Sequence, residues 1–101
     1  MSFALHPDAE AELNHIVDFI GSDSLAAARR LLDEFEDTFA RLARTPRIGH
    51  RRPELTSRPL RFWTLHRFVI AYDPEAKPLV IVMVIHGMRS PRTISHLLAD
   101  R

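Results

Sequence analysis

Two stretches in the first half of the chain carry apolar residues at helical spacing. In "HPDAEAELNHIVDFIG", residues 6–21, Ala9, Leu13, Ile16, Val17 and Ile20 fall on one face. Pro7 suits a first helical position, Asp8 and Glu10 suit the positive end of the helix dipole, and Gly21 suits a left-handed stop. In "LAAARRLLDEFEDTFARLAR", residues 25–44, Leu25, Ala28, Leu31, Leu32, Phe35, Phe39 and Leu42 make a second stripe that ends before Thr45-Pro46. Ser22 or Ser24 can cap this second helix, and a link as short as "SDS" predicts an antiparallel helical hairpin. "SFAL" ahead of both could form a short first strand.

The segment "TPRIGHRRPELTSRP" holds three prolines and a glycine among arginines and has no period, which makes it an irregular connector. Beyond it the pattern changes to aromatic and β-branched residues broken at Asp73-Pro74 and Lys77-Pro78. Three strands are predicted, Leu60 to Leu65, Arg67 to Tyr72 and Leu79 to Ile85, joined by tight links as an antiparallel meander. The last is apolar throughout, so both of its faces must be covered and it belongs inside the sheet. "SPRTISHLLADR" follows, with Ser90 as a cap, Pro91 in the first turn, and Ile94, Leu97 and Leu98 on one face of a short helix that needs docking to persist. With a turn at Leu65-His66, Trp63 lies opposite Phe68 and Arg61 opposite Ile70. One sheet face then carries Arg61, Trp63, Phe68, Ile70 and Tyr72. Because the helical hairpin covers one face only, the other is expected to stay open, partly apolar and ringed with cations, as a partner site does.

Composition narrows the classes. A chain of 101 residues, 46% apolar, closes one core, and a single domain spanning 1–101 is expected. No apolar run approaches the roughly eighteen residues of a membrane span, and the start lacks a secretory layout, so a cytoplasmic protein with no membrane partner is expected. The absence of cysteine excludes disulfides and thiolate metal sites. A formal net charge of +1 hides an asymmetry: acidic residues dominate up to Asp37, while arginines take over from Arg41 to Arg101. A single lysine, Lys77, accompanies the arginines. Guanidinium is suited to planar recognition of carboxylate or phosphate, although a compositional bias would produce the same scarcity of lysine.

The six histidines lack ligand spacing, no phosphate-binding glycine loop exists, and Ser90 has no nucleophile elbow. No metal and no cofactor is called for. The end of the last strand is different, because His86, Arg89, Arg92 and His96 gather where a helix begins, and such a place can hold an anion. Metal-free cleavage of RNA needs a base for the 2′-hydroxyl, an acid for the leaving oxygen and cations for the transition state. His86 or His96 with Tyr72, Arg61 and Arg89 are candidates for those roles. The simpler reading has His86 closing the strand, Arg89 and Arg92 bonding backbone carbonyls, and Tyr72 packing.

Four stretches in order resemble the RelE/ParE superfamily of type II toxins. "HPDAEAELNHIVDFI" resembles its leading helix, "PRIGHRRPEL" its connector, "LRFWTLHRFVIAYD" its strand and hairpin ending in tyrosine, and "VIHGMRS" its Leu-His-Gly-x-Arg-Asp signature. The matching residues are Pro46, Gly49, Arg52, Pro53, Glu54, Leu55, Arg61, Arg67, Tyr72, His86, Gly87 and Arg89. Met83, Ser90 and His66 depart from the pattern, where the family often has arginine, aspartate and glycine. The resemblance implies an α+β fold: an N-terminal antiparallel helical hairpin packed on a curved, mainly antiparallel sheet, with a short C-terminal helix. It further implies a toxin closest to the ParE branch, whose members are associated with inhibiting DNA gyrase, bound by a ParD-like, DNA-binding antitoxin through an acidic, apolar tail. Gly87 is then expected to let the strand turn sharply. Arg61, Trp63, Arg67, Phe68, Tyr72, His86, Arg89 and Arg92 are the residues expected to meet target or antitoxin. Two alternatives are a RelE-like, ribosome-dependent mRNA endoribonuclease using Arg61, Tyr72, His86 and Arg89, and a relic that only binds antitoxin.

Overall fold

The computed structural model describes residues 2–101. Its elements run β1 (Phe3–Leu5), α1 (Pro7–Gly21), α2 (Leu25–Arg44), β2 (Arg61–Leu65), β3 (Phe68–Asp73), β4 (Leu79–His86) and α3 (Pro91–Ala99). The α1–α2 hairpin forms as its two apolar stripes predict. His6 caps α1, its Nδ1 accepting the Asp8 N–H at 3.1 Å, and Ser24 caps α2, its hydroxyl accepting from Ala27 N–H at 3.1 Å. Gly21 is not the expected left-handed stop. It is the last helical residue, the chain leaves α1 through Ser22 in right-handed geometry, and Ser22 N–H still donates to Asp18 C=O.

The sheet order is β1-β4-β3-β2, with β4 inside it as its unbroken apolar run requires. β2, β3 and β4 form the antiparallel meander, while β1 lies parallel to β4 along Leu79 to Ile81. The β2–β3 turn is His66-Arg67 rather than Leu65-His66, so Trp63 faces Ile70 and Arg61 faces Tyr72. The two-residue slip leaves every side chain on its expected face. His66 enters the left-handed region at φ 53°, which suits the first position of a two-residue hairpin turn, and its Nε2 pairs with the Glu34 carboxylate on α2. Gly87 does not turn by a positive φ either. It is needed for close approach, because a Cβ there would meet Arg67 O at 3.0 Å and Val69 Cγ2 at 3.3 Å.

Both faces of the sheet are covered. Ile70, Tyr72, Ile81 and Val84 pack under the hairpin against Leu13, Phe35, Phe39 and Leu42. On the opposite face Phe62, Ala71, Met83 and Ile85 pack against Leu55 of the connector and Ile94 and Leu98 of α3. The expected open flank is therefore corrected: α3 and Leu55 close it. Ile94 and Leu98, one turn apart, give α3 an apolar stripe too small to stand alone but sufficient to seal this face. Arg58 ties the connector to the end of α3, donating to Leu98 C=O at 3.1 Å.

Two polar knots hold these layers in register. The Tyr72 hydroxyl donates to Pro46 C=O at 2.7 Å and accepts Gly49 N–H at 2.9 Å, while Arg61 donates to Gly49 C=O at 2.8 Å. Gly49 must be glycine here, since a Cβ would lie 2.4 Å from that hydroxyl. The second knot closes the edge of β4 beyond β1. Glu12 Oε1 accepts Val84 N–H at 3.0 Å, and Arg101 grips both Glu12 oxygens at 2.8 and 2.7 Å while also donating to Val82 C=O at 3.0 Å. Arg101 is only 6% exposed and Glu12 21%. A bidentate pair so withdrawn from water keeps its strength, and the carboxylate holds the guanidinium further into its charged range.

Two outcomes follow in urea unfolding. Glu12→Gln strips the buried guanidinium of its counter-charge and lowers stability by about 2–3 kcal/mol, with Arg101→Ala on top costing little more. Tyr72→Phe costs about 1–2 kcal/mol at neutral pH, as two hydrogen bonds lose their hydroxyl. Burial raises the Tyr72 pKa, so the unfolded chain ionises first. This contribution is full below about pH 10 and drains away as pH rises towards the folded value, whereas the Phe variant lacks that alkaline loss.

Candidate functional site

A groove of about 680 Å³ lies between α1 and the carboxyl-terminal half of β4. His15, Ile16, Phe19 and Ile20 form one wall, and Phe68, Val84, Ile85 and His86 the other, with Arg67 and Arg89 at one end and Glu12 at its margin. The apolar stripe of α1 is wider than the core needs, and its overhang makes this wall. Phe19, 71% exposed, stands on the rim.

The groove gathers Arg67, Phe68, His86 and Arg89 of the residues expected from sequence. Phe68 wedges between Phe35, with ring centroids 5.5 Å apart, and His86 at 5.8 Å with the rings at 81°. This edge-to-face contact fixes the imidazole plane. His86 Nδ1 accepts Met88 N–H at 3.2 Å, which leaves Nε2 to carry the proton of the neutral ring. Arg67 and Arg89 are exposed and make no ion pair with any described residue. The Arg89 guanidinium does not bond a backbone carbonyl, as the simpler reading had it. Gly87 N–H donating to Arg67 C=O at 2.7 Å holds the β3 and β4 ends together and keeps both guanidiniums at one rim.

The other expected residues lie elsewhere. Tyr72, expected at a binding or catalytic surface, is fully buried with its hydroxyl committed to the connector. Arg61 is tied to the carbonyls of Gly49 and Arg47. Trp63 packs beside the hairpin, with the Arg41 guanidinium 5.3 Å above its ring. Arg92 is exposed on α3, beside Glu54 and His96. Arg61 and Tyr72 pair at the level of Ile81, and His86 stands five residues further along β4, a separation of roughly 16 Å along the strand. Arg61, Tyr72, His86 and Arg89 therefore do not meet around one phosphate.

In the connector, Arg52 holds Glu54, whose carboxyl lies below its ordinary range because of that hydrogen bond, and Arg47 pairs with Glu75 at 3.2 Å. The described residues contain no group of three His, Cys, Asp or Glu able to hold a metal, and no helix long and apolar enough to cross a membrane. The α1 wall was missed in the sequence reading; its signal was Phe19, an aromatic residue off the apolar stripe.

The exposed rim residues of this groove, Phe19 and Arg89, carry little of the fold. Phe19→Ser and Arg89→Gln are each expected to leave stability within about 0.5 kcal/mol of the parent in thermal unfolding, in contrast to changes at Tyr72 or Glu12.

No curated protein matches the chain. The profile of the ParE toxin of the type II toxin-antitoxin system parDE matches residues 3–91, from β1 through the His86-Gly87-Met88-Arg89 turn to the start of α3. With the match spanning all four strands and the α1–α2 hairpin, the chain belongs to the ParE toxin family of type II toxin-antitoxin systems.

Proposed function

We propose that this toxin acts on DNA gyrase by binding rather than by catalysis, and that a ParD-like antitoxin silences it by laying an acidic, apolar tail into the groove between α1 and β4. The observation that carries this reading is the pairing of an apolar trough with two unpaired guanidiniums, Arg67 and Arg89, at one end. Apolar walls reward a segment with aliphatic side chains, and the free guanidiniums reward carboxylates beside them. A tail that folds only when it binds would neutralise the toxin by occupying the face that meets its target. Both partners belong in the cytoplasm.

Catalysis finds less support. An endoribonuclease needs its acid, base and cations within reach of one phosphate. The Tyr72 hydroxyl is spent on Pro46 and Gly49, and Arg61 is spent on carbonyls at the far end of the sheet.

The test is expression of the chain alone, followed by a supercoiling assay with purified gyrase and mapping of mRNA ends in a translating extract. Supercoiling is expected to fall while messages stay intact. The double change Arg67→Gln and Arg89→Gln is expected to raise the concentration needed for half-inhibition by about tenfold or more, two charge-assisted contacts being lost. Cleaved messages with undisturbed supercoiling would reverse the reading.

A further inference from the structure

The arginines of the connector have no part in the groove. Residues 41–61 hold seven arginines and a single carboxylate, Glu54, which is six positive charges net in a chain whose total is +1. The other 80 residues therefore carry five negative charges net. A polyanion meeting so polarised a molecule is steered to this segment. Arg58 and Arg61 are spent on carbonyls, and Arg47 and Arg52 stand in exposed pairs with Glu75 and Glu54. Arg41, Arg44 and Arg51 make no ion pair and no side-chain hydrogen bond among the described residues.

The backbone sets these three along one edge. Arg41 and Arg44 close the last turn of α2, where the Arg41 guanidinium lies 5.3 Å from the centre of the Trp63 ring of β2. Beyond them the Tyr72 hydroxyl holds Pro46 C=O at 2.7 Å, and His50 pairs with Phe62 through two backbone bonds of 2.9 and 2.8 Å. Arg51 follows at once. Residues 41–52 thus form a ridge along β2, the sheet edge opposite β1, and none of them lines the groove.

What the ridge lacks decides its partner. A folded protein docks through large apolar anchors, and the exposed ones among the described residues, Phe19, Leu25 and Met88, all lie elsewhere. A single-stranded nucleic acid stacks its bases on open aromatic faces. None is offered here: Trp63 has Arg41 on one side and packs against the core, and Phe62 is only 4% exposed. Guanidiniums in a row without anchors match a polyanion whose phosphates are regular and whose bases are hidden, which is a duplex. The pairs with Glu75 and Glu54, being exposed, are weak enough for a phosphate to displace.

We infer that residues 41–52 are a sequence-independent docking surface for the phosphate backbone of duplex DNA, with Arg41, Arg44 and Arg51 as its contacts. This surface goes beyond the groove; only the choice of DNA over an RNA duplex rests on the gyrase reading above, because gyrase works on duplex DNA.

The toxin alone, without gyrase or antitoxin, is titrated into a fluorescein-labelled DNA duplex of about twenty base pairs at about 50 mM NaCl, with anisotropy as the readout. Binding is expected with a Kd below about 100 μM, and three phosphate contacts give log K a slope of about −3 against log salt. Arg44→Gln with Arg51→Gln, both exposed positions, should weaken binding about tenfold or more and bring the slope to about −1. Arg29→Gln with Arg30→Gln removes equal charge roughly 20 Å back along α2 and should change affinity less than about threefold. A duplex of unrelated sequence should bind as well as the first. The inference is overturned by no binding at about 100 μM toxin, by a slope that the Arg44 and Arg51 changes leave intact, or by equal loss in the Arg29 and Arg30 control. Tighter binding of the single strand, of an RNA duplex or of poly-glutamate overturns it too, assigning the ridge to bases, to RNA or to an acidic peptide. Supercoiling is assayed separately: inhibited gyrase without DNA binding sinks this inference alone, and DNA binding with undisturbed gyrase sinks the gyrase reading alone.

Discussion

Burying β4 on both faces is the constraint from which the rest of the architecture follows. A strand reading Leu79 to Ile85 without a polar residue cannot leave either face in water, so a hairpin must cover one side and something else the other. The chain has only one more amphipathic segment, α3, and that segment is drawn to the second face with Leu55. Covering faces does not satisfy edges. β3 takes one edge, β1 takes three residues of the other, and the backbone beyond Ile81 needs partners that no strand supplies. Glu12 and Arg101 provide them up to Val84 N–H, joining α1 to the tail of α3 around the strand. The groove lies over the carboxyl-terminal end of the strand, from Val84 to His86.

Arginine does two distinct jobs here, which its count alone could not separate. Arg58, Arg61 and Arg101 donate to main-chain carbonyls of a helix end, a loop and a strand edge that would otherwise lack partners. A planar donor with several N–H groups can answer a carboxylate and a carbonyl together, as Arg101 does, and lysine could not match that geometry. Arg67 and Arg89 are different, exposed and uncommitted. The cationic character of the second half of the sequence is therefore divided: Arg58, Arg61 and Arg101 are tied into the fold, while most of the other arginines stay on the surface.

Local signals in the sequence were legible because they depend on neighbours in the chain. The stripes of α1 and α2, the Ser24 and Ser90 caps and the interior place of β4 all follow from periodicity and short-range chemistry. Face assignment in β2 and β3 survived a turn placed one residue early, because the resulting slip was an even number. What could not be read is long-range. Nothing in residues 90–101 says that Ile94 and Leu98 lie on the sheet face opposite the hairpin, and nothing around Tyr72 says that its hydroxyl reaches back 26 residues to Pro46. Gly21 was read as a left-handed stop from residue type and Gly87 as a sharp turn from the motif, whereas crowding by Arg67 and Val69 decides the second. Of the candidate site, the residues at the end of β4 could be found from the motif. Its α1 wall, 70 residues away in sequence, could not.

An apolar groove with an exposed phenylalanine on its rim is a hazard for a free protein, and its form here shows how the hazard is contained. The groove ends in a turn with Arg67 and Arg89 beside it, and Glu12 with Arg101 closes the edge of β4 behind it. Two copies meeting edge to edge would set four guanidiniums against each other, a repulsion that an acidic segment converts into attraction. The stabilising knots, Tyr72 with the connector and Glu12 with Arg101, rely on the chain's own atoms. A fold that closes without its partner can be released from it and remain intact, and a toxin set free by loss of its antitoxin needs that property.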